Sequence, residues 1–166
     1  MSDIDLSTAA GLRQYLQSLL DMRKAHMKMP SEFAYWGMED FLLQHGQEYQ
    51  YAPLPKGVKR GIVKMCFQNA WELAKRRKWL YVEGMAQGII PTHHAWVANP
   101  KHPTIAIDPT WSENLVPGEQ RVYIGVPFNL DLAGKMRKKE SSLLDDWQGS
   151  FPLYTGELNE TEWRAK

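Results

Sequence analysis

The chain has one cysteine, Cys66, among 166 residues. A single thiol closes no internal disulfide, so packing must hold the fold, and Cys66 is either core filler or chemistry. No apolar run is long enough to span a bilayer, so no membrane association is expected. The start, Met1-Ser2-Asp3-Ile4-Asp5, is acidic and lacks the apolar core of a signal peptide. These two absences, with one cysteine, point to a reducing, cytoplasmic setting. Neither charge sign is in excess: 20 Lys and Arg stand against 19 Asp and Glu, a net charge of +1. That balance disfavours a nucleic-acid partner, although local basic clusters exist. No Cys-x-x-Cys or His-x-x-x-His pair occurs, and adjacent His93 and His94 diverge on a strand. No metal site and no cofactor is expected. Fixed-period repeats and low-complexity segments are also missing.

What is present suits a packed core. Hydrophobic residues make up 43% of the chain and aromatics 11%, which argues against disorder. The length suits one domain over residues 1–166. A helical N-terminal part covers 1–48, a core covers 57–126 and a C-terminal extension covers 127–166.

Ser7 or Thr8 caps a first helix, in which Leu12, Tyr15, Leu16, Leu19 and Leu20 recur at helical spacing toward Lys28 and Pro30. Met38 to His45 reads as a second helix with Gly46 as its stop signal. Gln47 to Pro55, with Tyr49, Tyr51, Pro53 and Pro55, reads as an extended aromatic loop. Phe67, Ala70, Trp71 and Ala74 form the apolar stripe of a third helix, which carries Cys66 and ends in Lys75-Arg76-Arg77-Lys78. Strands follow at Trp79–Gly84, Thr92–Ala98 and Thr104–Asp108. Asn99-Pro100-Lys101-His102-Pro103 turns the last two into an antiparallel hairpin. Arg121–Val126 is a fourth strand. Leu130 to Leu144 reads as helix interrupted by Gly134, and the tail from Gln148 reads as irregular apart from a turn near Trp163. Helices first and a small antiparallel sheet afterwards make an α+β pattern rather than alternating βαβ.

Cysteine, then histidine, then aspartate, on one helix and two strands, can supply a nucleophile, a base and an orienting group. The thiolate is the reactive form, and a helix N-terminus or a nearby imidazolium favours it. A helix that starts at Cys66 offers free backbone N–H groups for a developing oxyanion; a helix that starts near Val58 does not. Strand alternation places His94, Trp96 and Ala98 on one face and His93, Ala95 and Val97 on the other. Thr104, Ala106 and Asp108 likewise share a face. In an antiparallel hairpin His94 and Asp108 can meet, if the register permits. Asp108 then accepts from one ring nitrogen and leaves the other for sulfur. The plain alternatives are a buried filler thiol, a structural histidine and a turn-forming aspartate before Pro109.

The set Cys66-Phe67-Gln68-Asn69-Ala70, Tyr81-Val82-Glu83-Gly84, His94-Ala95-Trp96 and Ile107-Asp108-Pro109-Thr110-Trp111 resembles the transglutaminase-like branch of the papain-like cysteine enzymes. It is similar above all to bacterial and tailed-bacteriophage proteins of that kind. The match covers roughly residues 60–126. The resemblance implies a cysteine at the start of a helix packed on an antiparallel sheet. It also implies Cys66 as nucleophile, His94 as general acid/base and Asp108 as its orienter. Papain-like members often carry an upstream polar side chain as a second oxyanion donor; Gln47 and Gln50 are the candidates. Trp96 and Trp111 are candidates to line the substrate cleft, and Asn69 is a structural hydrogen bonder.

The expected function is cysteine-dependent acyl transfer on an amide or ester, as hydrolase or transferase. The substrate is a peptide, a protein or a small molecule. The alternative is a catalytically silent binding or inhibitor protein on the same scaffold, of the kind a phage encodes. Nucleic-acid binding through Lys56, Lys59, Arg60, Lys64 and the basic clusters is the weakest of the three readings.

Overall fold

The computed structural model describes residues 3–166. Its helices and strands alternate little, which makes the architecture mixed α+β. Thr8 caps α1 (Ala9–His26), its hydroxyl accepting from the Gly11 amide at 3.0 Å. Leu12, Leu16 and Leu20, four residues apart, supply its buried stripe. The short helix α2 (Met38–His45) opens after Gly37 with Glu39 and Asp40 in its first turn, where carboxylates suit the helix dipole. The thiol helix α3 (Cys66–Arg77) ends on Lys78, a left-handed cap. Helix α4 (Leu130–Lys138) runs through Gly134 and stops six residues before Leu144. Two single-turn helices, α5 (Pro152–Thr155) and α6 (Glu160–Trp163), give the tail more order than its composition suggests.

Five strands follow the order β1 (Gln47–Ala52), β4 (His102–Ile107), β3 (Pro91–Asn99), β2 (Leu80–Gln87) and β5 (Val122–Phe128), and they close into a barrel. This corrects the expected small antiparallel sheet in two respects. The sheet has no open edge, and the β1–β4 pairing is parallel, with Gln50 opposite Ile105. It also corrects Gln47–Pro55, expected as a loop: its first six residues form the strand that closes the ring. Tyr49 and Tyr51 alternate as a strand requires, and both turn to the barrel interior. The β3–β4 hairpin is antiparallel as expected, with a register irregularity between Val97 and Asn99.

The two faces of β3 separate the molecule's two cores. Ala95 and Val97 look outward to a large core shared with the helices, from Leu12 to Trp163. Trp96 and Ala98 look into the barrel with Tyr49, Val82, Ala86, Ala106 and Tyr123. The Trp96 indole fits because Gly125 faces it: a Cβ there would stand 2.6 Å from the ring. Helix α3 lies across β3 and β2 on the outer side, which sets its first residue beside the start of the histidine strand.

Candidate active site

Helix α3 begins at Cys66, with Met65 as N-cap and no side-chain cap. The first-turn amides have no intrahelical acceptor, so their N–H groups point past the N-terminus. Lys64 takes a left-handed φ of 66° just before the helix, so the chain turns sharply into the thiol residue. Asn69, one turn along α3, holds the approach. Its Oδ1 accepts from the Ile62 amide at 3.2 Å, and its Nδ2 donates to the Ile62 carbonyl at 2.7 Å. The same Nδ2 donates to Thr110 Oγ1 at 3.0 Å, and the Gly61 amide donates to the Pro109 carbonyl at 2.8 Å. Gly61 has to be glycine here, because a Cβ would stand 2.2 Å from Asn69 Oδ1. One side chain therefore ties the segment before Cys66 to the turn after Asp108.

Extending the Val97–Ile107 register by one pair sets Asp108 across from Trp96 and one diagonal step from His94. His94 Nε2 meets Asp108 Oδ2 at 2.8 Å. The same oxygen accepts from the Tyr123 hydroxyl at 3.1 Å. Oδ1 accepts from the amides of Thr110 at 2.8 Å and Trp111 at 3.2 Å, so Asp108 is both turn former and imidazole partner. Both His94 and Asp108 are 2% exposed.

Burial alone would push the His94 imidazole down. The Asp108 charge, the Asp108 hydrogen bond and then the nearby Cys66 overcome burial and raise it to about 9. Burial would raise Asp108, yet the His94 charge and hydrogen bond, with the two amides, hold it below the usual carboxylate range. The pair is thus an ion pair at neutral pH. A carboxylate only accepts, so Nε2 carries the proton toward Asp108, and Nδ1 remains for the sulfur. Cys66 is 9% exposed and close enough to stabilise the charged ring.

The aromatic candidates divide. Trp111 is half-buried and stacks on the His94 ring, with centroids 4.1 Å apart and planes 18° apart. It covers the imidazole from one side. Trp96 is 0% exposed inside the barrel, so its expected place in a substrate cleft is corrected. Its position on the His94 face put it at the barrel's centre rather than at its mouth. Gln50 lies exposed on β1, in a cavity of about 650 Å³ that Glu48, Tyr51, Thr104, Glu119 and Arg121 also line. Gln47 is committed elsewhere, its Nε2 donating to Tyr49 Oη at 2.7 Å.

Two residues escaped the sequence reading. Tyr123 is fully buried and supports Asp108; its signal was a lone hydroxyl in the apolar run Val122–Val126. Arg121, 6% exposed, donates to the Val116 carbonyl through Nε at 2.8 Å and to the Trp111 carbonyl through Nη2 at 3.3 Å. It pins the loop that carries Trp111. Arg60 also donates to the Trp111 carbonyl.

Comparison with protein-family models, with curated proteins and with solved structures finds no match. Among the described residues no helix is long and apolar enough to cross a membrane. No group of three His, Cys, Asp or Glu among them could hold a metal ion.

Proposed function

We propose that the protein is a cysteine-dependent acyl-transfer enzyme of transglutaminase-like type, with Cys66 as nucleophile, His94 as acid/base and Asp108 as orienter. The observation that carries this reading is the buried His94–Asp108 contact at 2.8 Å, which keeps the ring charged, next to Cys66 at the start of α3. A cationic ring beside sulfur favours the thiolate.

In that state the sulfur adds to the carbonyl carbon of an amide or ester. The resulting oxyanion takes hydrogen bonds from the first-turn amides of α3. His94 passes its Nδ1 proton to the departing amine or alcohol, which leaves a thioester on Cys66 and a neutral ring. Water or an amine then gives a proton to Nδ1 as it attacks the thioester, and the thiolate departs. Water makes a hydrolase and an amine makes a transferase. Asp108 keeps Nε2 protonated and the ring oriented throughout.

One observation favours the alternative, a binding protein on the same scaffold: Cys66 is nearly covered and His94 more so. An activated ester, p-nitrophenyl acetate, separates the two. The enzyme reading expects a burst of nitrophenolate and an acetyl thioester on Cys66 by mass spectrometry, both absent in Cys66→Ser and in His94→Gln. A chain that takes no acetyl group at Cys66 is the binding protein.

A further inference from the structure

The residue after the nucleophile borders a second polar site, on the outer side of β3. A cavity of about 160 Å³ is lined by Phe67, His93, Arg137, Ser141, Ser142 and the exposed Trp147. The Arg137 guanidinium lies over the Phe67 ring, 5.1 Å from its centroid, and the His93 ring meets the same phenyl group edge-on at 4.8 Å. Arg137 is half-buried, its Nε is buried with no hydrogen-bond partner, and none of the ion pairs among the described residues includes it. His93 Nε2 is also buried without a hydrogen bond.

The nearest buried carboxylate, Glu83, faces His93 but makes no ion pair with Arg137. Glu83 is 0% exposed, and its oxygens accept from the Tyr81 hydroxyl and the Leu143 and Leu144 amides at 2.8, 3.1 and 3.0 Å. Its Oε2 stands 3.8 Å from His93 Nε2. The two other acids at the cavity, Glu140 and Asp145, are exposed at its rim. A partly desolvated guanidinium without an acceptor is costly to keep, and a planar fork of donors suits a carboxylate.

We propose that this cavity receives a carboxylate carried by the substrate, held by Arg137 with His93 beside it. The proposal rests on the acyl-transfer reading for its link to chemistry: Phe67, which lines the cavity, directly follows Cys66 in the chain, and a carboxylate held there would anchor an acidic substrate on the Cys66 side of the molecule. Its binding step stands separately.

The test is a titration of the full chain with glutarate, followed by the Trp147 indole N–H (assigned with Trp147→Phe) and the Ser142 amide in nitrogen–proton correlation spectra. Neutral glutaramide and inorganic phosphate form the comparison arms. Expected are saturable shifts with glutarate, at least tenfold weaker binding of both comparison ligands, and at least tenfold weaker glutarate binding in Arg137→Gln. Arg137→Lys, which keeps the charge without the fork, binds glutarate with intermediate strength. Cys66→Ser binds as the natural chain does, so failure of the triad and failure of this site are read independently. Equal shifts with glutaramide, tighter binding of phosphate, or unchanged affinity in a folded Arg137→Gln would overturn the proposal. If Arg137→Gln does not fold, the wild-type comparison of glutarate with glutaramide decides alone.

Discussion

His94 Nε2 and Asp108 Oδ2 stand 2.8 Å apart with both side chains out of water, and Asp108 spends its remaining capacity on Tyr123 and two turn amides. A charged pair so placed gains most when its geometry is complete and costs most when one partner goes. Asp108→Asn should therefore destabilise the fold by roughly 3 kcal/mol. It should also lower the His94 ring from about 9, since only Cys66 then opposes burial. Urea denaturation and the ring-proton titration of His94 measure the two effects.

The same pair sets a pH window for stability. His94 is raised in the fold, so its contribution is full below 6.5 and is lost as pH climbs through about 9. Asp108 and the buried Glu83 are both held low, against their burial, by their hydrogen-bond and charge partners. Their contributions are present above the ordinary values of 3.8 and 4.5 and fade as pH falls through the lowered ones. Thermal melting across pH should show a plateau between these limits. The alkaline shoulder should vanish in Asp108→Asn while the acid limb persists through Glu83.

Asn69 and Gly61 should behave as one unit. Asn69→Ala removes the bonds to the Ile62 amide and carbonyl and to Thr110 Oγ1 and should cost about 1 kcal/mol. Gly61→Ala should cost at least as much, because its methyl meets Asn69 Oδ1 at 2.2 Å. In the double variant the clash has no target, so the combined loss should fall clearly short of the sum. Additive losses in a double-mutant denaturation cycle would contradict this account of the brace.

Tyr123→Phe removes one donor from Asp108 without opening a void. The expected loss is about 1 kcal/mol by denaturation, with secondary structure unchanged by circular dichroism.

Much of this arrangement was readable from local pattern. Met38–His45 came out with its observed bounds, since Gly37 and Gly46 frame it, and the alternation in β3 separated His94 from His93. The hairpin turn at Asn99–Pro103 carried its own signal. What escaped is what distance along the chain hides. Tyr49 and Tyr51 alternate, but nearby prolines make that stretch read as loop, and its partners are Ile105 and Tyr123, more than fifty residues on. Barrel closure follows from those pairings and from no local run. Closure in turn decided Trp96, because a residue that faces a ring's interior is sealed, whereas one that faces an open sheet can border a cleft. Arg121 and Glu83 read as strand residues, and their partners lie on loops that only the folded chain brings near.

The most direct measurement is the rate at which iodoacetamide alkylates Cys66 at pH 7, in the natural chain and in a folded His94→Gln. An imidazolium that holds the thiolate ready predicts a rate at least tenfold higher in the natural chain, about 1.4 kcal/mol of activation. Equal rates in the two proteins would contradict a working partnership between His94 and Cys66.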